Sequence, residues 1–553
     1  MLNLLLPLTL IAGVCAKKSG STIGPVADLP IVNAKIAPDG FTRSAVLPGG
    51  TFPGPVIVGK KNDEFKINVI DKLYDTTMVR STSVHWHGLS QHGSNWADGT
   101  ASVTQCPITP GGSFQHIFQA KDQAGTFWYH SHFSTQYCDG LRGVFVVYDP
   151  DDPHKSLYDV DDESTIITLA DWYRKSTKYP PAPQYGPIAP PDSTLINGLG
   201  RYLNGTASPL AVVNVEHGKR YRFRLVSISC EPNYIFSIDG HDLTVIEVDG
   251  QNTVPLVVNS IQIYTGQRYS FVLNANAHTD SSNGDGNFWI RALPNFGVSL
   301  TFDQKTNLGI LRYKHAKKVD PTTTQQANNV PLIESNLQPL KDPKAPGGAS
   351  IDGADVDYNL VIGFDPVNLK FTINGAPYTP PNAPILLQIL SGKSSPEQLL
   401  PPESIYYVPA NKTIQLAFPL GAGGDTGGPH PMHLHGHSFS VIRSANSSTY
   451  NYDNPVRRDV VNTGVTGDNV TIRFFTDVGP RRTDNSAGVW FLHCHIDRHL
   501  DIGLAVVFAE DTRGIAKIDP APQSWKDLCP AYEREFGPGG EVIPKGNGTA
   551  PPA

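Results

Sequence analysis

Residues 489–500 read VWFLHCHIDRHL and place His493, Cys494, His495 and His499 within seven positions. A catalytic thiol needs one base, and a zinc site seldom crowds three imidazoles around one sulfur. On an extended strand residues i and i+2 share a face, so His493 and His495 point one way and Cys494 the other. Such a segment can serve two sites back to back. Three more His-x-His pairs occur, His85/His87, His130/His132 and His433/His435. A single pair is commonplace. Four pairs, with His430 and His499, take up ten of the 18 histidines, and their eight paired imidazoles suffice to surround several metal ions.

Cys494 then belongs to a second site on the opposite face. One thiolate with two imidazoles is the ligand set of a blue-copper electron-transfer centre, and the unpaired His430 and His499 complete it. An imidazole-rich cluster beside such a centre suggests electron traffic, which favours copper over zinc. The cysteine count agrees. Of six cysteines, Cys15 lies in an apolar leader, leaving Cys106, Cys138, Cys230, Cys494 and Cys529. An odd number in an oxidising compartment spares one thiol, and Cys494 is the obvious one. The other four can form two disulfides, with three pairings open.

The elements that must hold these residues read as strands. The 553 residues are 39% hydrophobic and 17% charged, with 51 Gly and 47 Pro, a composition that suits a turn-rich all-β protein of several domains. Runs such as GVFVVYD, YRFRLVSIS, RYSFVLNA and VTIRFF fit sandwich strands. The acidic stretch from Asp149 and the Pro/Thr/Gln-rich stretch at 317–348 read as connections. The expected division is a signal peptide at 1–16, then domains at 22–150, 151–318 and 319–553. HWHG and FWYHSH in the first domain match HLHG and WFLHCH in the third, with Ser131 standing where Cys494 stands. The middle domain has scattered histidines and no pair.

A net charge of -7 leaves no basic footprint for nucleic acid. The run MLNLLLPLTLIAGVCA has signal-peptide length, and no later segment approaches membrane-spanning length. Sequons at Asn204, Asn411, Asn446, Asn469 and Asn547 fit a secreted, extracellular glycoprotein. The expectation is a monomer that contacts neither membrane nor nucleic acid.

The segments HWHG, WYHSH, HPMHLHGH and WFLHCHIDRH together resemble the four copper signatures of multicopper oxidases, and nearly the whole mature chain is similar to secreted fungal laccases. The resemblance implies three tandem cupredoxin-like Greek-key domains and four copper ions. His430, Cys494 and His499 would hold the type 1 copper, with Leu504 as a non-coordinating axial residue that raises the potential. His85 and His433 would hold the type 2 copper. By analogy His87, His130 and His495 would hold one type 3 ion, and His132, His435 and His493 the other. The family disulfides would be Cys106–Cys529 and Cys138–Cys230. Asp98 and Asp497 match carboxylates that supply protons at the cluster, and Glu231 matches the acidic residue of the phenol pocket. The implied activity is one-electron oxidation of phenolic and related aromatic substrates coupled to reduction of O2 to water, with a role in breaking down lignin or other aromatics.

Two features depart from the family pattern. The stretch VGPRRTDNSAGV after Asp477, with Arg481 and Arg482, is about eight residues longer than the usual family turn. Arg498 stands where an aromatic residue is usual, and Asp501 where Glu is common. These departures are expected to surround the type 1 site and alter its rim. Competing readings are a ferrous-iron oxidase, an ascorbate-type oxidase and a non-catalytic copper-binding protein. The first is commonly membrane-anchored, whereas this sequence ends GNGTAPPA, and the last would be signalled by missing ligands.

Overall fold

The computed structural model describes residues 22–177, 190–205, 207–277, 286–296, 306–393, 395–421, 428–477 and 486–541. The expected signal peptide, Asn547, Arg481 and Arg482 lie outside the described residues. Strands dominate and group into three sandwiches. Strands from Val26–Ile36 to Arg142–Tyr148 form two four-stranded sheets. Those from Ile166–Trp172 to Leu308–Tyr313 form a six-stranded and a five-stranded sheet. Those from Val356–Asn359 to Ala505–Glu510 form two five-stranded sheets and a small hairpin. The fold is all-β and cupredoxin-like, with paired sheets packed face to face.

The four histidine pairs sit on two antiparallel strand pairs. Val84–His87 pairs with Gly125–Ser131 so that His85 lies opposite His130 and His87 opposite Trp128. Pro431–Leu434 pairs with Gly488–Cys494 so that His433 lies opposite His493 and Met432 opposite Cys494. The internal repeat is thus a repeat of register. In the first unit Val84 and Ser131 occupy the places of Met432 and Cys494, and the Ser131 hydroxyl donates to Gln136 Oε1.

Alternation along Gly488–Cys494 settles which way each residue faces. Val489 and Phe491 pack into the core shared with the first unit, while Trp490, Leu492 and Cys494 pack into the core shared with the second. The cores are continuous across the units, so the three sandwiches meet through buried side chains rather than through exposed linkers. The joins are also covalent: Cys106–Cys529 and Cys138–Cys230 are bonded, and Cys494 is free and buried.

Residues 478–485 of the long turn after Asp477 lie outside the described residues, which include its two ends. Its base is closed by Asp477 and Ser486, with Ser486 N donating to the Asp477 carbonyl and Asp477 N to Ser486 Oγ. It enters Gly488–Cys494 at the end away from Cys494, six residues or about 20 Å along an extended strand. The expectation that the inserted residues rim the type 1 site falls on residues outside those described. Of the departures, Arg498 and Asp501 lie on the short helix that carries His499.

Asn204, Asn411 and Asn446 are exposed, whereas Asn469 is half-buried at the start of a strand. Among the described residues no helix is long and apolar enough to cross a membrane.

Candidate metal centre

Cys494, at the end of its strand, meets His430 from a loop and His499 from a short helix. Its sulfur lies 3.7 Å from His430 Nδ1 and 3.6 Å from His499 Nδ1, and those nitrogens are 3.1 Å apart. All three residues are buried. His499 is carried on the short helix Asp497–Asp501, and Leu504 closes the turn behind it, accepting from Cys494 N and donating to the His499 carbonyl. Burial pushes the Cys494 thiol up and, with His430 adding a like charge, pushes His499 well below the usual histidine range. Cys494 and His499 are therefore neutral and desolvated.

On the other face eight imidazoles converge, and six of them tie one nitrogen to the surrounding protein in a repeated pattern. His85 Nδ1 donates to the Asp98 carbonyl and His433 Nδ1 to the Asp459 carbonyl, each at 2.8 Å. His130 Nδ1 donates to the Ser131 carbonyl and His493 Nδ1 to the Cys494 carbonyl, each at 2.9 Å. His435 Nδ1 meets the Asp98 carboxylate at 2.9 Å, and His87 Nε2 meets the Asp459 carboxylate at 3.2 Å. Each aspartate thus serves one imidazole by its carbonyl and another by its carboxylate, across the two histidine-bearing units.

The opposite nitrogens of these rings face one another or lie unpartnered. Those of His85, His130 and His433 are buried with no hydrogen-bond partner. His493 Nε2 faces both His435 Nε2 at 3.1 Å and His132 Nε2 at 3.4 Å, and His87 Nδ1 faces His495 Nε2 at 3.1 Å. Burial first, then the neighbouring imidazoles, hold His87, His130, His132, His433 and His435 well below the usual histidine range. His493 falls to about 3, chiefly by burial. Neutral imidazoles aimed at one another without protons to share need a cation between them.

Family models described as multicopper oxidase match residues 31–152, 163–316 and 378–514. The chain belongs to the multicopper oxidases. It is 57% identical to laccase-5 of Trametes versicolor over 92% of this chain and 94% of that relative. It is 56% identical to the laccase of Phlebia radiata over 94% and 96%. Among solved structures it superposes on the laccase from Botrytis aclada with a TM-score of 0.78 at 28% identity, covering 94% of each chain. It also superposes on Fet3p, a multicopper oxidase that functions in iron import, at TM-score 0.77 and 25% identity, over 92% of this chain and 95% of that one.

A multicopper oxidase binds copper, and the donor set here fits that metal. Ligand atoms lie within 4.8 Å of one another in the groups His430/Cys494/His499, His132/His435/His493, His85/His433/His435 and His85/His87/His130. His87 differs from the other inward-facing histidines because Asp459 occupies its Nε2, leaving Nδ1 for the metal side.

The expected acids are all buried but differ in placement. Asp98 touches the cluster histidines directly and accepts from Thr100 Oγ1 at 2.7 Å. Asp497 lies under the histidine segment, its N–H bonded to the Cys230 carbonyl and its carboxyl 3.1 Å from Cys138 Sγ. Burial, reinforced by Asp501, pushes it well above the carboxylate range. A cavity of about 10 Å³ beside it is lined by His130, His132, His493 and His495. Glu231 is buried one residue past Cys230, its N–H donated to Asp171, which Arg142 pairs. Arg498 donates to the Thr177 carbonyl and lies 3.8 Å from Asp501, so it ties the helix of His499 to the middle unit.

Sequence reasoning missed Asp459, Asp171 and Arg268. Asp459 sits in NPVRRDVV, a segment noted only for its similarity, and its carbonyl and carboxylate each reach a cluster imidazole. Its sole signal was an acid set between two arginines and the apolar Val460-Val461.

Proposed function

We propose that the chain is a laccase that oxidises phenolic and related aromatic molecules and passes four electrons to O2. The assignment rests on one observation above all. A Cys/His/His trio and an eight-imidazole cluster share the segment His493-Cys494-His495, back to back. In this reading four copper ions occupy the chain. One is held by His430, Cys494 and His499, and one by His85 and His433. The other two take His87/His130/His495 and His132/His435/His493. Bound copper would supply one-electron redox chemistry at the first site and four-electron reduction of O2 at the cluster.

The protein's own share is placement and proton handling. His499 presents the imidazole nearest the substrate side, beneath Phe371, whose ring centroid is 4.4 Å from its own. Cys494 is covalently continuous with both His493 and His495, so the two sites are joined through peptide bonds. Asp497 holds its proton next to the cluster wall, and Asp98 fixes His85 and His435. Glu231 would accept the phenolic proton. The domain division at 150/151 and 318/319, a secreted monomer and lignin or aromatic breakdown belong to the same reading, supported by the sheet grouping and the laccase relatives.

The likeness to Fet3p keeps ferrous-iron oxidation as a second reading. O2 uptake by the copper-loaded protein is expected with methoxyphenols and aromatic amines. Uptake with ferrous iron alone would reject the laccase assignment.

A further inference from the structure

The middle unit carries none of the proposed ligands, yet it reaches the cluster wall. At Gly266, with φ +86, a Cβ would lie 2.8 Å from the His495 ring and 3.2 Å from the His87 ring. Two residues on, Arg268 is wholly buried and grips Asp459 with both arms, Nη1 to Oδ1 at 2.6 Å and Nη2 to Oδ2 at 2.7 Å. Its Nε donates to the Thr126 carbonyl at 3.0 Å and Nη1 to the Gly266 carbonyl at 3.1 Å, so first and second units together fix the guanidinium. Gly88, which ends the HWHG segment, has φ +90. A Cβ there would come within 2.4 Å of Arg268 Nη2 and 2.8 Å of Asp459 Oδ2. The glycine after His87 therefore leaves room for this ion pair directly behind the imidazole.

The pair has a specific task. His87, His433 and Asp459 themselves offer ligand atoms within 4.8 Å of one another, so the carboxylate is placed where it too could bind a metal. We propose that Arg268 is a positioning residue that keeps Asp459 off the copper and holds it as a hydrogen-bond acceptor for His87 and His433. A bidentate guanidinium engages both carboxylate oxygens in one plane, which a lysine ammonium cannot reproduce. With the fork in place, Oδ1 stays beside His87 Nε2 and the backbone carbonyl stays beside His433 Nδ1. Without it, the carboxylate is free to turn and replace an imidazole with a hard oxygen donor, altering the charge and geometry of the cluster. The inference rests on the reading of His87 and His433 as copper ligands.

Copper-loaded wild type and Arg268→Lys are compared by visible absorption, electron paramagnetic resonance and copper retention during dialysis against a chelator. The variant is expected to keep the blue type 1 band, to hold cluster copper about tenfold or more weakly, and to show an altered type 2 signal. A variant that is less stable but keeps wild-type cluster retention and spectrum would overturn the proposal, leaving a structural ion pair. If Arg268→Lys does not fold, the neutral double variant Arg268→Gln/Asp459→Asn removes both charges and leaves none unpaired. It is expected to stay blue with the same weakened cluster, and a wild-type cluster in it would equally overturn the role. A wild type without a type 2 signal would instead reject the ligand assignment itself.

Discussion

Cys494 has no route to reactivity on its own. Its thiol is buried, pushed up by desolvation and bounded by two buried imidazoles, so only a bound metal would draw out the thiolate. Cys494→Ser is expected to abolish the blue absorption and O2 uptake while changing stability by less than about 2 kcal/mol. Absorption spectra and urea unfolding measure both, and a variant that stays blue would refute the type 1 assignment. Arg498 also finds its place at this scale. Its guanidinium does not interrupt the link between the two sites but turns away to the Thr177 carbonyl, docking the middle unit against the helix of His499.

Two elements must be held in register for the cluster to exist: the turn Asn95–Ala97 of the first unit and the strand Gly488–Cys494 of the third. Asn95 bridges them, donating from Nδ2 to the Val489 carbonyl and accepting the Val489 N–H at Oδ1. His116 steadies the same turn through the Ala97 carbonyl, and Asp98 follows it directly. Asn95→Ala removes both bonds and leaves a buried strand edge unpaired, at a cost of about 2–4 kcal/mol. The expected result is a lower unfolding midpoint with cluster copper lost before type 1 copper. Unchanged stability and copper content would show that the bridge is incidental. The long turn after Asp477 enters beside this bridge, and its base residue Ser486 donates to Glu510, which also pairs with His437 at 2.8 Å.

At the scale of the molecule the site is an interface, and interfaces of neutral imidazoles respond to acid. In the copper-free protein His87, His130, His132, His433, His435, His493 and His495 have folded-state proton affinities far below the unfolded value, mainly through burial. Above about pH 6.5 both states are neutral and these groups leave stability unchanged. Below it the unfolded chain takes up protons that the folded chain refuses, so stability falls by about 1.4 kcal/mol per pH unit for each imidazole. Urea midpoints of copper-free protein should therefore drop steeply as pH falls below about 6, and far less when copper competes for the same nitrogens. A flat midpoint in the copper-free protein would contradict the convergence of imidazoles described above.

Much of this was legible in the sequence because strand periodicity is local. Alternate residues face opposite ways, so His493-Cys494-His495 by itself determined that one thiol and two imidazoles serve different sides, and the repeated pairs determined that several imidazoles gather. The odd cysteine count singled out Cys494 without any contact being known. What the sequence could not contain was distance between units. Asp459 and Arg268 are 191 positions apart, and Asn95 and Val489 are 394 apart. Asp459 and Arg268 carry no motif, because their partners are brought in by packing of sandwich on sandwich. The chemistry of the ligands was decided locally, and their orientation by the tertiary structure.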